Sequence, residues 1–465
     1  MNGPTPAAPT PAAPSPAAPL QIVGGGPTGA LLAILLHARG HTDIDLYENR
    51  TDPRSSQEQS GRSINLALAD RGIHALKAAG VFGRLDASLL PMRGRCIHHL
   101  DGRTVFQPYG QRPNEVNYSI SRHKLNQNLI DIAAGLAGIR VHFEHRLEAV
   151  DFAHQSASIR DLRGARLLQV PMAPLIASDG AGSTMRRCMN EAHIIQSHET
   201  DLEHGYKELS VPARDGGSAF AADALHIWPR GNYMLIALPN EDHSFTATLF
   251  LPKQGRPSFE SLQDAGIIDT FLRSNFADAF AAMPDCVTEF KEHPVGFLGT
   301  VSANPWYASG QALLIGDAAH AMVPFHGQGM NCCFEDCVEL DRCVARNASW
   351  QAAFSEFGAV RRPNTDAISA MALENYLEMR EQVADPKFQL QQALALELER
   401  RFPRHFIPRY SMVMFHHEIS YRTAQLRGLT QAAILNDLTA GNLAAVTDVD
   451  FARAEREIKA RLAPV

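Results

Sequence analysis

Long apolar runs are missing from this sequence. No segment approaches the roughly 20 residues needed to span a bilayer, and the stretch from Asp437 onward is polar and charged, so a soluble, cytoplasmic protein is expected. An excess of positive charge is missing too. With 43 Lys and Arg against 50 Asp and Glu, for a net charge of −7, the chain has no basic field to meet a phosphate backbone, and nucleic acid is not expected as a partner. The 7 cysteines form no CxxC pair and keep no regular spacing, which points away from a disulfide framework and toward a reducing compartment. Among 20 histidines there is no HExxH, and the neighbours His98-His99 and His416-His417 would point to opposite faces of a strand. No metal ligand set is expected. Nothing in the sequence settles an oligomeric state.

What is present begins after a Pro/Ala tract, 1–19, which reads as a disordered tail and not as a signal peptide. Leu20 to Val23 is apolar and runs directly into Gly24-Gly25-Gly26-Pro27-Thr28-Gly29, then into the helical pattern ALLAILLHARG, then into the strand DIDLYE ending at Glu48. This strand, glycine turn, helix, strand and acid sequence is a dinucleotide-binding fingerprint in its required context. Gly24 permits the tight turn, Gly26 lets backbone approach a pyrophosphate, Gly29 lets helix pack on strand, and Glu48 can accept hydrogen bonds from ribose hydroxyls. Only one such fingerprint occurs, so one tightly held dinucleotide is expected, with any second one visiting.

The second landmark is Leu313 to Asp336, LLIGDAAHAMVPFHGQGMNCCFED. A buried strand over Ala312–Ile315 would deliver Gly316 and Asp317 to its carboxyl end. From His320 to Gly329 the chain should form a loop, with a helix starting at Met330 whose N-terminal N–H groups suit an electron-rich ligand. Leu175 to Gly182 ends likewise in an Asp179-Gly180 turn, and Arg62 in GRSINLAL invites an anionic partner. Cys332, Cys333 and Cys337 crowd the start of the expected helix, and packing is their expected role.

Between Tyr206 and Pro252 alternating extended segments predict an antiparallel sheet. Phe259–Ala282 reads as helix, and so do Trp350–Arg361, Asp366–Val383, Lys387–Arg401 and Ser420–Leu435. The fold class expected is therefore α/β, a Rossmann-like FAD-binding domain with an antiparallel-sheet substrate domain and a helical C-terminal region. The corresponding boundaries are 20–85, 119–200 and 300–365 for the first; 86–118 and 201–299 for the second; and 366–465 for helices that close the active site.

The glycine turn with Glu48, the Asp179-Gly180 turn and the GDAAHAMVPFHGQGMN segment together resemble the single-component flavin-dependent aromatic hydroxylases. Within them GRSINLAL, PMRGR, LHIWPRG, FTATLF, ALENYLEMR and PRYSMVMF resemble the kynurenine 3-monooxygenase family, over about Gln21 to Ala424. The resemblance implies FAD contacts from Thr28, Tyr47, Glu48, Asn49, Arg50, Ala67, Arg122, Leu147, Asp317, Gly329, Met330 and Asn331. It implies that Arg95, Tyr109, Asn375, Glu378 and Tyr410 hold an aromatic amino acid, with Phe250 as a pocket wall and Pro324–Gln328 beside the flavin ring. The reaction implied is NADPH- and O2-dependent hydroxylation of L-kynurenine to 3-hydroxykynurenine through a flavin C4a-hydroperoxide, a step of tryptophan degradation. No protein residue is assigned as a catalytic acid or base; His320 and His326 are the tempting ones.

A substituted kynurenine, or a related aminoaryl substrate in a biosynthetic pathway, would keep almost every motif. A flavin-dependent halogenase would need a tryptophan-rich motif, whereas Trp228, Trp306 and Trp350 are scattered. A flavin-binding sensor would not need the substrate motifs. The Cys332-Cys333 pair departs from the small residues the family would place there, and the membrane-anchoring tail of the eukaryotic enzymes has no counterpart.

Overall fold

The computed structural model describes residues 18–55, 65–85, 88–214, 216–382, 385–441 and 443–465. Most of the Pro/Ala tract and Arg62 lie outside them. The sequence-predicted α/β class is the one observed.

One six-stranded sheet runs in the order Tyr307–Ala308, Ala312–Leu314, Leu175–Ala177, Leu20–Val23, Ile44–Glu48, Ile139–Phe143, parallel except for the first short strand. Its central strands, Leu175–Ala177 and Leu20–Val23, are buried along their whole length because both faces are covered, and all but Gln21 are apolar. The helix Pro27–Ala38 packs on it between Arg122–Ala134 and Gly329–Arg346. That double coverage explains why eight successive residues, Gly29 to Leu36, are all buried. A three-stranded antiparallel sheet, His145–Asp151, Ser156–Asp161 and Arg166–Pro171, flanks this unit. Sequence alone leaves the stretch after Phe152 unassigned, because its strands carry charge and no regular apolar alternation.

The second six-stranded sheet runs His204–Val211, Phe245–Pro252, Met234–Pro239, Ala224–Pro229, Gly94–His98, Thr104–Pro108. It departs from the expected all-antiparallel pattern at one join. Ala224–Pro229 lies parallel to Gly94–His98, with Leu225 opposite Arg95 and His226 opposite Cys96. The two strands come from distant parts of the chain, so no hairpin dictates their direction. One face of this sheet packs on Ala265–Asn275, Ala277–Ala282 and Cys286–Glu292 through Trp228, Phe245 and Phe290. The other face, with Ile97, Ile227 and Phe250, meets Phe325 and Tyr376.

Two helical expectations are corrected. Phe259–Gln263 is not helical, and the helices begin at Ala265 behind the Asp264 cap, whose carboxylate accepts from Gly266 N and Ile267 N. The break expected near Pro363 does not occur: Trp350–Leu377 is one helix of 28 residues and continues as a π turn over Glu378–Gln382. A mid-helix proline costs about 3 kcal/mol. Here the helix is tied across that point by the buried Arg361, which donates to Asp336 Oδ1 at 2.6 Å and to Glu335 Oε2 at 2.6 Å.

Candidate active site

The glycine turn has the predicted geometry. Gly24 adopts φ +100°, and a Cβ on Gly29 would lie 1.9 Å from Gly24 O and 2.6 Å from Ser178 Oγ. Helix and strand are therefore in backbone contact, a spacing only glycine allows. The helix Pro27–Ala38 has Gly26 as its N-cap with no side chain capping it, so its first N–H groups are left for a ligand. Glu48 is 4 % exposed. Its carboxylate lies against Gly25, with Oε2 only 3.2 Å from where a Gly25 Cβ would be, and Oε1 accepts from Arg50 N at 2.9 Å and Arg50 Nε at 2.8 Å.

From this turn a cavity of about 410 Å³ runs between the two six-stranded sheets. Its near end is lined by Thr28, Ala67, Arg122, Asp317, Gly329 and Met330. The helix Gly329–Arg346 opens there, and its N-cap Gln328 makes no side-chain cap. Two helix N-termini without side-chain caps and an acid beside the glycine turn fit a dinucleotide with a polar, electron-rich ring system. The expected loop before that helix is partly ordered: Asp317–His320 is a short helix and Pro324–His326 a 3₁₀ turn. Gly327 follows in the left-handed region, φ +65°, and bends the chain back into the helix.

Several predicted cofactor residues do not line this cavity. Tyr47 and Leu147 are buried in the core around the first sheet, Tyr47 stacked on His142 at 4.9 Å, while Asn49 and Arg50 are exposed at the end of Ile44–Glu48. None of the four lines the cavity, and neither does Glu48; Arg50 stands beside the glycine turn, its Nη2 4.0 Å from where a Gly26 Cβ would be. The Asn331 side chain turns inward: Oδ1 accepts from Ala69 N at 2.9 Å, and Nδ2 donates to Ala67 O and Gly327 O, both at 2.8 Å. It therefore clamps two backbone segments that shape the cavity, Ala67–Ala69 and the turn at Gly327. Asn331→Ala would leave the buried Ala69 N–H unpaired and remove the bonds to two half-buried carbonyls, and it is expected to lower unfolding stability by about 3 kcal/mol, read as a shift in denaturant midpoint. Gln328, expected beside the flavin ring, is fully buried and faces away, accepting from Tyr421 Oη at 2.6 Å.

At the far end the cavity narrows onto Arg95, Tyr109, Phe250, Phe325, His326 and Tyr410. The Tyr109 and Tyr410 rings stack with centroids 5.4 Å apart, and His326 stacks on Tyr410 at 5.5 Å. The Arg95 guanidinium lies 5.1 Å from the Tyr410 centroid and 5.7 Å from that of Tyr109. Burial works against its charge, but the two phenols and Glu378 outweigh that and raise its pKa. Its one ion pair among the described residues is a long one, 4.0 Å to Glu378. Burial also raises the Glu378 pKa, against the pull of Arg95 and Arg409. Arg95 is thus a buried cation whose remaining donors face the cavity. Asn375 and Glu378 line a second cavity of about 280 Å³ behind the Arg95–Tyr109–Tyr410 wall, and Asn375 donates to Phe325 O at 2.6 Å.

Sequence reasoning did not single out Asn117, Thr248 and Met379, which also line the first cavity; Thr248 and Met379 lie within FTATLF and ALENYLEMR, but a motif does not say which of its residues face a cavity. Nor did it find the buried charges behind the cofactor end. Arg71 pairs with Glu335, Arg361 bridges Glu335 and Asp336, and His320 Nε2 meets Asp336 Oδ2 at 2.6 Å. Asp336 also accepts from Gly316 N at 3.1 Å, so this network pins the turn that presents Asp317. His320 belongs to it and does not line the cavity. His326 does line it, but burial pushes its pKa down to about 3. It should stay neutral from pH 5 to 8, with ring shifts that do not titrate there; a midpoint near 6.5 would contradict this. The unfolded chain takes up that proton near pH 6.5 and the folded chain only near 3. His326 therefore lowers stability as pH falls between those values. Cys333 lines the cavity beside Asp317, its Sγ 3.6 Å from Oδ1, while Cys332 is buried against Arg361.

A parallel-sheet glycine turn joined to an aromatic-walled pocket defines a dinucleotide-dependent oxidoreductase of the flavin hydroxylase type. Residues 17–353 match the family model described as FAD binding domain. A kynurenine 3-monooxygenase of Stenotrophomonas maltophilia is 47% identical over 95% of this chain and 97% of its own length. Another, of Myxococcus xanthus, is 43% identical over 96% of each. Among solved structures, P. aeruginosa PqsL in complex with 2-aminobenzoylacetate superposes with a TM-score of 0.63 at 20% identity, over 78% of this chain and 97% of its own. Tetrameric 2-methyl-3-hydroxypyridine-5-carboxylic acid oxygenase does so at 0.61 and 19%, over 82% and 98%; both support the fold alone. The chain belongs to the FAD-dependent aromatic hydroxylases, and within them to the kynurenine 3-monooxygenase family. It is a flavin monooxygenase. Among the described residues no helix is long and apolar enough to cross a membrane.

Proposed function

We propose that the chain hydroxylates L-kynurenine to 3-hydroxykynurenine with NADPH and O2. One observation carries the substrate: the buried Arg95 guanidinium, with donors facing the cavity and its paired carboxylate 4.0 Å away, is suited to the α-carboxylate of an amino acid. The relatives' name supplies the rest of the molecule. Arg95 would take the carboxylate, with Tyr109 and Tyr410 as flanking hydroxyls, and the tilted Phe250–Phe325 pair, 4.8 Å between centroids, would form the apolar wall for the aniline ring. That ring's amino group donates into the ortho carbon, so no protein base is needed to activate it. This agrees with a pocket whose one lining histidine is held neutral.

Thr28, Glu48, Asp317, Gly329 and Met330 would hold FAD, which, reduced by NADPH, supplies the two-electron activation of dioxygen. The protein's part is to bind, to orient and to exclude water. One oxygen atom enters the ring and the other leaves as water. The separation into a discontinuous cofactor unit, a sheet-based substrate unit and a closing helical unit belongs to the same reading; Tyr410 and Met414, from the helix Arg409–Phe415, reach the cavity from the third.

The test is NADPH oxidation by the FAD-loaded protein with and without L-kynurenine. Strong stimulation is expected. Stimulation by a ring-substituted kynurenine but not by kynurenine itself would move the assignment to that substrate, and none by either would overturn it.

A further inference from the structure

The strand Gly94–His98 has two faces. Arg95 points into the substrate cavity, while Cys96 and His98, on the opposite face, turn away from it with His226, which sits directly across from Cys96 on Ala224–Pro229. The facing ligand atoms of Cys96, His98 and His226 lie within 4.8 Å of one another. We propose that these three side chains form a zinc site, back to back with the substrate-binding arginine.

The orientation of the imidazoles is what carries this. His98 Nδ1 meets Asp278 Oδ2 at 2.6 Å, and His226 Nε2 donates to the Ala221 carbonyl at 2.9 Å. Each ring thus has its outer nitrogen fixed by a carboxylate or a carbonyl, the arrangement that sets tautomer and basicity in metal-ligating histidines. The inner nitrogens, His98 Nε2 and His226 Nδ1, face each other at 2.8 Å. Because the Ala221 carbonyl only accepts, His226 must carry its proton on Nε2 and turn a lone pair inward. With Nδ1–H donated to Asp278, His98 turns a second lone pair to the same point, where a cation satisfies both. Without a metal, that point holds only the 2.8 Å contact between two rings that are 6% and 2% exposed.

A thiolate and two imidazoles suit zinc over harder cations. Asp278 is itself held by the Trp228 indole, whose Nε1 donates to Oδ1 at 2.8 Å, and His98 stacks on that indole at 4.2 Å. The outer shell is therefore rigid. Zinc–nitrogen bonds of about 2.0–2.1 Å need the two inner nitrogens to part by roughly half an ångström. A water can complete four-coordination. The productive spacing is Cys96 and His98, two apart on one strand face, with the third ligand supplied by the parallel join.

The experiment uses the full FAD-loaded chain, stripped with chelator and titrated with Zn(II), and separately with Co(II) as a spectroscopic probe. Expected are one zinc per chain, a zinc–sulfur distance near about 2.3 Å by X-ray absorption and a thiolate-to-cobalt charge-transfer band. Cys96→Ser should abolish the sulfur signal and the band, and Asp278→Asn should weaken binding about 10- to 100-fold. Flavin content and melting temperature would confirm that each variant folds. A wild-type chain that binds zinc substoichiometrically, or shows no sulfur ligation, overturns the proposal whatever the variants do. Binding unchanged in Cys96→Ser and His226→Gln, as by scattered surface histidines, also overturns it.

Discussion

Arg95→Ala is expected to weaken L-kynurenine binding on the order of 100-fold, about 3 kcal/mol, while leaving FAD bound. The size follows from what the substitution leaves behind. In the intact site a substrate carboxylate would exchange water for a buried guanidinium flanked by two tyrosines. With alanine it would be buried with no cation to meet it, and truncating one partner of a buried charge pair costs more than the pair itself contributes. Glu378 would lose one of the two arginines that oppose its upward pKa shift, so the variant pocket should also be less hospitable to an anion at high pH. Arg95→Lys restores the charge but not the planar fork, and should recover only part of the loss. Flavin absorbance and substrate-induced spectral titration separate the two readouts. Unchanged substrate affinity in Arg95→Ala would refute the assignment.

Gly29→Ala is expected to yield a protein that loses FAD on desalting, with FAD affinity down by about 100-fold or more. A Cβ at this position would stand 1.9 Å from Gly24 O, and that carbonyl has nowhere to go. Gly24 is already in a conformation reserved for glycine, and its oxygen accepts from Ser178 Oγ at 2.9 Å. The helix Pro27–Ala38 must therefore move outward, and with it the N–H groups beside Thr28. Overpacking of this kind costs about 1–3 kcal/mol of stability in addition. Gly83→Ala, where a Cβ meets nothing within 4 Å, is the control and should keep its flavin. Full flavin retention by Gly29→Ala would show that the turn does not position the cofactor.

The legibility of this chain was uneven for physical reasons. The glycine turn with Glu48 could be read because its residue types are dictated by backbone contact and by φ, which act locally. The same holds for the strand into Gly316 and Asp317. Long-range choices could not be read. Whether Ala224–Pro229 pairs parallel or antiparallel with Gly94–His98 is decided by how two units of the chain pack, and the uninterrupted helix through Pro363 depends on Arg361 reaching Glu335 and Asp336 on another helix. In the site, Arg95, Tyr109, Tyr410 and Phe250 come together at one end of the cavity. Asn375 and Asn331, by contrast, direct their amides to backbone carbonyls. An amide in a motif does not reveal whether it will meet ligand or main chain, since both offer the same acceptors.

The most direct test of the central claim is to quantify 3-hydroxykynurenine, hydrogen peroxide and NADPH together in one reaction of the FAD-loaded protein with L-kynurenine. The account predicts one hydroxylated product for each NADPH consumed, with little peroxide, because a substrate gripped by Arg95 against an apolar wall would hold its ring in place and keep water out. NADPH consumption that yields peroxide in place of 3-hydroxykynurenine would contradict it.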